Sequence, residues 1–313
     1  MSDDQRSERR PDLSVIVVNW NTRLLLRRCL DSVRAHAGGL TLEVIVVDNA
    51  SSDGSQQMLR DDYPWVVLIE NGRNVGFACA NNVGAARASA PLLLLLNSDA
   101  AILPDALPAA IAYIDARPRV AIAGLQLLND DLTLQPSGRA LPSLTSTIVG
   151  LLPIPVGWRV AYDRRRNARD DSVSGPVGEV SGAAMVVRRD VFRRLGGFDE
   201  RFYFFGEDID LCWRAHETGG EIAYIATAKV IHTWGGARAR TPSLRQALLS
   251  QRAQYLLLRH HTPAWQAEAL RVFLVALSLA RLARAFVRGG DRGTEAAQNT
   301  HLFARELVWL LRH

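Results

Sequence analysis

Two acidic residues follow apolar segments at points where a folded chain could bind a ligand. Asp48 comes directly after the apolar segment 42–47, and Asp99 follows the five leucines 92–96 with two polar residues between. A carboxylate at such a point can accept a hydrogen bond from a ribose hydroxyl or a base N–H, and it can bind a hard divalent cation. The alternative for either residue is a helix cap, because Asp is a common N-cap.

Two further places carry titratable side chains in apolar surroundings. Glu207 and Asp208 follow a run of four aromatic residues, 202–205. Adjacent acids repel each other and burial raises the pKa of a carboxyl group, so one of the pair could act as a general base. The alternative is the capped start of a helix. His232 ends a short apolar segment, where it could be a metal ligand or a packed or capping residue.

The elements that would position these residues alternate between strands and helices. Strands are predicted over 12–18, 42–47, 66–70, the leucine run 92–96, 120–128, 180–188 and 221–225, and the predicted helices include 102–117 and 190–195. Because strands that alternate with helices form βαβ units, this pattern predicts a parallel sheet with right-handed crossovers. Ligands bind beyond the carboxyl ends of the strands in such sheets, which brings Asp48 and Asp99 to one edge.

The phosphate-binding loops of two large nucleotide-binding classes are missing. No Gly-x-Gly-x-x-Gly motif follows the first strand, and the chain contains no Gly-x-x-x-x-Gly-Lys-Ser/Thr motif. These absences argue against dinucleotide oxidoreductases and P-loop enzymes. They leave open a nucleotide held by strand-end acids through Mg²⁺ or Mn²⁺, which prefer oxygen ligands.

The composition is that of a globular protein with one large domain and an appendage. The chain has 313 residues, of which 48% are hydrophobic and 22% charged, so a large core can form. Three separated cysteines indicate no disulfide framework or zinc site and favour a reducing, cytoplasmic compartment. The polar segment 1–11 lacks the apolar stretch of a signal peptide and predicts a disordered N-terminus. We expect the main domain over 12–240, with an irregular, proline-bearing region at 129–178.

The C-terminal segment 241–313 is predicted to be a basic helical extension. From residue 238 to the end, twelve arginines face four acids, a net charge of +8, whereas the whole chain carries +5. Its longest charge-free stretch, 272–280, is far shorter than the roughly 20 residues that a membrane span requires. The pattern predicts either an interfacial helix on an anionic membrane surface or a helix packed on the main domain. No nucleic-acid recognition motif accompanies the charge.

The motifs taken together resemble glycosyltransferase family 2, and in particular its bacterial rhamnosyltransferase-like members. Seven motifs occur in order over roughly residues 12–236: Val-Ile-Val-Val-Asn-Trp-Asn (15–21), Val-Val-Asp-Asn-Ala-Ser-Ser-Asp-Gly-Ser (46–55), Asn-Val-Gly-Phe-Ala-Cys-Ala-Asn-Asn (74–82), Leu-Leu-Asn-Ser-Asp (95–99), Gly-Gly-Phe-Asp-Glu-Arg-Phe (196–202), Gly-Glu-Asp-Ile-Asp-Leu-Cys-Trp-Arg (206–214) and Val-Ile-His (230–232). Each motif is weak by itself, but the ordered set is specific. The resemblance implies an inverting enzyme with the GT-A fold, an α/β structure in which helices flank a mostly parallel, Rossmann-like sheet, here with a C-terminal helical extension.

The resemblance also implies roles for individual residues. Asp208 would be the general base that deprotonates the acceptor hydroxyl, with Glu207 beside it. Asp99 and His232 would bind the cation, Mg²⁺ or Mn²⁺, that bridges the donor diphosphate. The family often has Asp-x-Asp at the cation, and Asn97 in the first position removes one negative charge here. Asp48 would contact the base of the donor, and the other implied donor-binding residues are Asn19, Asn21, Asn49, Asn74, Gly76, Asn81, Asn97 and Ser98.

We therefore expect an inverting glycosyltransferase that moves a sugar, with L-rhamnose from dTDP-rhamnose as the first candidate, to a hydroxyl of a polysaccharide or polyprenyl-linked acceptor. Such a step belongs to cell-wall or surface polysaccharide synthesis, and the expected location is cytoplasmic and peripheral on the inner face of the cell membrane. The alternatives are a family 2 transferase that uses a UDP-hexose, and a catalytically silent nucleotide-sugar-binding scaffold subunit. A nucleotidyltransferase is a further alternative, although its usual glycine-rich, lysine-bearing loop is missing.

Overall fold

The computed structural model describes residues 10–152, 154–202, 205–233, 244–288 and 294–312. The chain divides into two compact units, one of residues 1–141 and 167–239 and the other of residues 142–166 and 240–313. The predicted disordered segment falls mostly on residues 1–9, and the predicted domain boundary at 240 falls within 234–243; both stretches lie outside the described residues. The predicted extent of the catalytic domain therefore stays a prediction.

The strands belong to the first unit and the helices to both units. In chain order the strands are β1 (Leu13–Asn19), β2 (Leu42–Asp48), β3 (Val67–Glu70), β4 (Leu92–Asn97), β5 (Ala100–Ile102), β6 (Val120–Leu128), β7 (Leu134–Gln135), β8 (Gly138–Arg139), β9 (Gly175–Pro176), β10 (Glu179–Val180), β11 (Ala184–Arg188) and β12 (Glu221–His232). The helices are α1 (Arg23–Ala35), α2 (Ser55–Asp62), α3 (Phe77–Arg87), α4 (Ala106–Asp115), α5 (Leu144–Leu151), α6 (Val156–Arg166), α7 (Arg189–Arg194), α8 (Glu207–Glu217), α9 (Leu244–His261), α10 (Ala264–Arg288) and α11 (Thr294–Arg312).

The central sheet is mixed. Its strand order is β3-β2-β1-β4-β11-β6-β12-β5, and β7 and β9 pair with β6 and β12. β3, β2, β1 and β4 form a parallel block, and β12 pairs in parallel with β6. β11 lies antiparallel between β4 and β6, and β5 pairs antiparallel with β12. The predicted α/β class, with helices flanking a central sheet, is confirmed.

Both faces of the sheet are covered, which is why β4 has leucine at five consecutive positions. Leu94 and Leu96 belong to the core beneath α1, α2 and α4, whereas Leu93 and Leu95 belong to the core beneath α3, α7 and α8. All five leucines are buried, as expected for a central strand of a doubly covered sheet. α3 lies so close to this sheet that a Cβ on Gly84 would come within 2.5 Å of Ile16 Cγ2.

Two predicted elements have different bounds in the structure. The predicted helix 102–117 is wrong at its start, because Ile102 ends β5 and α4 begins at Ala106. Asp99 therefore precedes a strand, so the helix-cap alternative for Asp99 is wrong. The predicted strand 221–225 continues to His232 as β12. The pairing of β12 with β6 shifts register between Ile225 and Lys229, so the strand is irregular where the predicted strand ended.

The predicted irregular region 129–178 is partly regular. It contains the short strands β7, β8 and β9 in the first unit and the helices α5 and α6 in the second unit. The buried face of α1 consists of Leu26, Cys29, Leu30 and Val33, whereas Leu24 is 78% exposed.

The second unit is helical, and its core joins segments that are distant in sequence. Buried residues from α9, α10 and α11 form this core, and residues of α5 pack against it: Tyr255, Leu258, Ala267, Leu270, Leu274 and Leu310, with Leu144, Ile148 and Leu151. The predicted C-terminal helical extension is confirmed by α9, α10 and α11. Among the described helices, none has both the length and the apolar character that crossing a bilayer requires.

Candidate functional site

A row of hydrogen bonds joins the carboxyl ends of β4, β1 and β2. Thr22 Oγ1 donates to Asn19 Oδ1 at 2.6 Å and lies 2.8 Å from Ser98 Oγ. Because the Thr22 hydroxyl has a single hydrogen, Ser98 must donate to it. Asn19 Nδ2 then donates to Asp48 Oδ2 at 2.7 Å across the parallel pair in which these two residues are in register. The row runs in one direction and ends on the Asp48 carboxylate.

Asp48 is fully buried, and its carboxylate orders the loop that follows β2. Its Oδ1 accepts hydrogen bonds from the Ser51 backbone amide at 2.8 Å and from Gln56 Nε2 at 2.7 Å. The first amide of α2, that of Ser55, is bonded by Asp53 instead. The helix-cap alternative for Asp48 is therefore wrong, whereas its contact with a donor base stays a prediction.

The predicted donor-binding loop is fastened to the end of β2. Asn49 Nδ2 donates to the Gly76 carbonyl at 3.2 Å, and Asn71 Nδ2 donates to Asn49 Oδ1 at 2.8 Å. Within the loop, Asn74 Oδ1 accepts from the Gly76 amide at 3.0 Å. Asn81 is buried and donates to a carbonyl one turn back in α3. These contacts give the loop a defined shape beside Asp48.

Strained backbone marks three of the loops at this edge. Asn21, Ala50 and Phe205 have φ values of 55°, 61° and 72°, a region that residues other than glycine rarely adopt. The Asn21 conformation is held by its own side chain, whose Oδ1 accepts from the Ser52 amide at 2.7 Å. Such residues persist only where surrounding contacts impose them, and they cluster at functional sites.

Asp99 and His232 lie together because β5 returns the chain to β12. In this antiparallel pair His232 is opposite Ala100, and the Thr233 amide donates to the Asp99 carbonyl at 2.9 Å. Asp99 Oδ1 and His232 Nε2 are 3.3 Å apart, and Asn97 Nδ2 lies 3.3 Å from the same nitrogen. The structure thus brings the two predicted cation ligands together with the Asn97 amide.

This set of atoms fits a divalent cation. Asn97 Oδ1 is buried and has no hydrogen-bond partner among the described residues, a state that costs free energy unless something binds the oxygen. A carboxylate, an amide oxygen and an imidazole nitrogen are suitable ligands for Mn²⁺, and Mg²⁺ favours the oxygens. The Asp99 and His232 side chains are 16% and 10% exposed, so an ion can reach them from solvent.

Glu207 and Asp208 begin α8 directly after the left-handed residue Gly206. Burial raises the pKa of both carboxyl groups, and the charge of Asp208 raises the pKa of Glu207 further. Two backbone amides, those of Gly182 and Ile209, donate to Asp208 at 2.9 Å each, and these bonds and the Arg139 cation oppose the rise in its pKa. Asp208 is therefore the member of the pair whose ionised form is better stabilised, which suits it to accept a proton.

A two-residue link connects this acid pair to the cation candidate. The Gly182 backbone amide donates to Asp208. The carbonyl of its neighbour Ala183 accepts from the backbone amide of Asn97 at 2.9 Å. A Cβ on Gly182 would lie 3.3 Å from Asp208 Cβ, so the close approach depends on glycine. The segment that leads into β11 thus joins the predicted base to Asn97, the neighbour of the predicted cation ligands, at one edge of the sheet.

Several residues that hold this site were not found by sequence reasoning. Thr22 directly precedes α1, but its side chain makes no cap bond and lies in the row that ends on Asp48. Ser51 and Gln56 closely follow Asp48, and that proximity was an available signal. Gln135, which contacts His232 Nδ1 at 2.7 Å, lies in the region expected to be irregular and had no signal.

A family model described as glycosyl transferase family 2 matches residues 14–196, which is more than half of the chain. The chain belongs to this family. As a family 2 glycosyltransferase it is similar to the N-acetylglucosaminyl-diphospho-decaprenol L-rhamnosyltransferase of Mycobacterium tuberculosis, at 29% identity over 270 residues that cover 82% of this chain and 87% of the relative. It is also similar to rhamnosyltransferase WbbL of Escherichia coli K12, at 27% identity over 227 residues that cover 70% of this chain and 82% of that protein.

Solved structures support the fold of this glycosyltransferase. A crystal structure of GalNAc-T7 with UDP, GalNAc and Mn²⁺ aligns with a TM-score of 0.58 at 17% identity, over 79% of this chain and 48% of that chain. The mannosyltransferase PcManGT from Pyrobaculum calidifontis, in complex with GDP-Man and Mn²⁺, aligns with a TM-score of 0.53 at 17% identity, over 97% of this chain and 87% of that chain. At this identity the likeness shows the fold alone, which is GT-A.

Proposed function

We propose that this glycosyltransferase moves L-rhamnose from dTDP-L-rhamnose, with inversion, to a hydroxyl of a lipid-linked glycan acceptor in cell-wall or surface polysaccharide synthesis. The observation that carries the proposal is one edge of the sheet at which Asp99, His232 and the partnerless Asn97 oxygen adjoin Asp208 through the Gly182–Ala183 link. The rhamnosyltransferase names of two relatives support the choice of sugar and, for one of them, of a diphospho-decaprenol acceptor.

In the proposed reaction Asp208 removes the acceptor proton. The acceptor oxygen then forms a bond to the anomeric carbon while the bond from that carbon to the diphosphate oxygen breaks. The electron pair leaves with the nucleoside diphosphate, and the proton stays on the Asp208 carboxyl group. One displacement from the opposite face inverts the anomeric carbon and needs no covalent intermediate. Glu207, whose pKa burial and Asp208 raise, stays protonated and adds no second charge beside the base.

The donor would lie across the carboxyl ends of β1, β2 and β4. The ordered loops that carry Asn21, Asn49 and Asn74 surround this edge, and internal hydrogen bonds join the row from Ser98 to Asp48 beneath them. A preorganised edge of this kind needs little reorganisation when a nucleotide binds. Asp99 and His232, with Asn97, would hold Mg²⁺ or Mn²⁺, and when bound the cation offsets negative charge on the donor diphosphate.

The second unit supports a membrane-linked acceptor. Among the side chains that the structure describes in this unit, eight large apolar ones are exposed, namely Val156, Trp158, Val160, Trp265, Val272, Leu279, Val308 and Leu311. On α10, Trp265, Val272 and Leu279 recur every seven residues and so lie along one side of the helix. Exposed Trp with aliphatic residues on a basic helix is typical of an interfacial helix, so we place this unit on the inner, anionic surface of the cell membrane.

Thermal unfolding with nucleotides tests the donor and cation together. Wild type and Asp99→Ala are melted with dTDP-rhamnose, UDP-sugars and the free diphosphates, each with and without Mn²⁺. A ligand at 100 times its Kd stabilises the native state by about 2.7 kcal/mol. We expect a Mn²⁺-dependent rise in Tm with dTDP-rhamnose in wild type and no rise in Asp99→Ala.

Transfer assays then separate the alternatives. Rhamnosyl transfer from dTDP-rhamnose to N-acetylglucosaminyl-diphospho-polyprenol would support the proposal. Transfer from a UDP-hexose alone would show that the proposed donor is wrong and favour the UDP-hexose alternative. Binding of a donor without turnover over a broad acceptor panel would favour a scaffold subunit. Pyrophosphate release from a nucleoside triphosphate and a sugar phosphate would favour a nucleotidyltransferase.

A further inference from the structure

We propose that Gln135 is a positioning residue that fixes the tautomer of His232, at the end of a hydrogen-bond relay that starts at Asp131. The relay passes through the turn between β6 and β7, and none of its members is among the residues assigned to donor, cation or acceptor. The inference rests on the proposed function, because it concerns the nitrogen with which His232 would hold the cation.

The direction of the relay is set by the Asp131 carboxylate, which can only accept. Thr133 Oγ1 lies 2.5 Å from Asp131 Oδ1, so the single hydroxyl hydrogen of Thr133 points to Asp131. The Thr133 backbone amide also donates to this oxygen, at 3.0 Å. The remaining contact of the hydroxyl, Asn129 Nδ2 at 2.9 Å, must therefore be a donor to it. This contact decides which end of the Asn129 amide is the oxygen.

The orientation of Gln135 follows from that of Asn129. With its nitrogen toward Thr133, Asn129 presents Oδ1 to Gln135, whose Nε2 donates to it at 3.0 Å. The same nitrogen lies 3.4 Å from the His232 carbonyl, a second acceptor. Gln135 Oε1 is thereby turned toward His232 Nδ1, at 2.7 Å. An oxygen in this place requires a hydrogen on Nδ1.

A neutral imidazole with its hydrogen on Nδ1 has its lone pair on Nε2. This is the nitrogen that faces Asp99 Oδ1 and the Asn97 amide, both at 3.3 Å. The relay thus presents to the cation site the one form of neutral histidine that can bind a metal through Nε2. A donor on the far nitrogen of a metal-binding histidine commonly orients the ring and raises its basicity.

The location of the relay suits a fixed contact. Gln135 is buried, and β7 holds it opposite Leu127 of β6. Two backbone hydrogen bonds close the turn: the Asn129 amide donates to the Thr133 carbonyl, and the Leu132 amide donates to the Asn129 carbonyl. Leu132 lies in the left-handed region, with φ 62°. A rigid hairpin therefore carries Asn129 and Gln135, so the amide orientations are set before any ligand binds.

The first test reads the tautomer directly, in the full chain without metal. Nitrogen-15 NMR at a pH where His232 is neutral distinguishes a protonated ring nitrogen from one with a lone pair. We expect the hydrogen on Nδ1 in wild type. In Gln135→Met, which has a similar volume but no acceptor oxygen, we expect the Nε2–H form to appear. A wild-type ring with its hydrogen on Nε2 would overturn the inference.

The second test measures Mn²⁺ binding with dTDP by electron paramagnetic resonance. Loss of a residue that orients a metal-binding histidine typically weakens metal affinity by about 10- to 100-fold, and we expect a loss in this range for Gln135→Met. Gln57→Met makes the same chemical change on an exposed face of α2 and should have no effect.

The two tests separate this inference from the proposed function. If wild type binds Mn²⁺ and Gln135→Met binds it equally well, the relay has no positioning role and the proposed function stands. If the tautomer is as expected but wild type binds no Mn²⁺, the relay stands and the cation assignment of His232 fails.

Discussion

Asp208 combines two properties that a base needs. It is only partly exposed, so burial raises its pKa, yet the Gly182 and Ile209 amides and the Arg139 cation stabilise the ionised form. Its neighbour Glu207 has less support, since its Oε2 is buried and has no hydrogen-bond partner among the residues that the structure describes. The environment therefore stabilises the ionised form more for Asp208 than for Glu207.

Replacing Asp208 by Asn should greatly lower kcat and leave donor binding intact. The amide keeps an oxygen for the Gly182 amide but cannot take the acceptor proton. General-base catalysis contributes about 10²- to 10⁴-fold, and we expect kcat to fall by that factor. Steady-state kinetics and the donor Kd measure the two effects. Asp190→Asn, an exposed change on α7, is the matched control and should leave kcat unchanged. Equal loss of kcat in both variants would remove Asp208 from the mechanism.

The pH profile should report the same carboxyl group. The base must be ionised, so kcat/KM should fall as the pH drops through the pKa of Asp208. Because burial raises this pKa, the acidic limb should lie above the range of an exposed Asp. Arg139 lowers the pKa, so Arg139→Gln should move the limb to higher pH, with little effect at alkaline pH where Asp208 is ionised in both proteins. A limb that moves to lower pH would contradict the assignment.

At the scale of elements, the segment before β11 determines the spacing of the site. β11 enters the sheet antiparallel between β4 and β6, and its leading residues Gly182 and Ala183 reach both Asp208 and Asn97. β5 and β12 form a second antiparallel pair that sets Asp99 beside His232. The carboxyl ends of the parallel strands form the edge of the sheet, and the two antiparallel strands bring the candidate catalytic and cation-binding residues to it.

Gly182→Ala should therefore lower kcat clearly while changing the melting temperature little. The added Cβ would lie 3.3 Å from Asp208 Cβ, so the carboxylate must shift by a few tenths of an ångström. Because a misplacement of about 1 Å can cost about 10²-fold, we expect about a tenfold loss of kcat, with a small change in Tm. Gly175→Ala adds a methyl group in β9 with no atom within 4 Å and should change neither quantity. A Gly182→Ala enzyme with full activity would show that the spacing is not critical.

At the scale of the whole molecule, charge and exposed apolar surface coincide in sequence. The segment from residue 238 carries a net +8, and α10 within it exposes Trp265 at 64%, Val272 at 67% and Leu279 at 51%. A basic segment is attracted to an anionic surface, and apolar side chains add binding when they enter the headgroup region. The combination fits an enzyme whose acceptor is anchored in a membrane.

Replacing these three residues of α10 by serine should weaken binding to vesicles that contain anionic lipid. Burying such a side chain contributes about 1.5–3 kcal/mol, so even partial insertion of three predicts at least a tenfold loss of partitioning, about 1.4 kcal/mol. Co-sedimentation of the full chain measures it. The control changes Leu132 and Val173 of the first unit, which are 60% and 58% exposed, to serine. Equal binding by both variants and wild type would exclude α10 as the docking surface.

Local patterns in the chain were enough to predict much of this protein. The apolar runs that end in Asn19, Asp48 and Asn97 identified three parallel strands, since a strand buried on both faces has no polar side. The rule that ligands bind at the carboxyl ends of such strands then placed these residues on one edge, as observed. Seven ordered motifs identified the family, and the family model confirms it.

Partners that are distant in sequence were decided only by tertiary structure. Nothing local shows that β5 exists or that it pairs with the end of β12, because a three-residue strand has no period to read. The contact of Gln135 with His232 and the packing of α5 with α10 likewise join segments that are distant in sequence and that no local pattern connects. The formation of strands and helices depends on neighbours along the chain. These contacts instead depend on which surfaces pack together when the whole chain folds and its core excludes water.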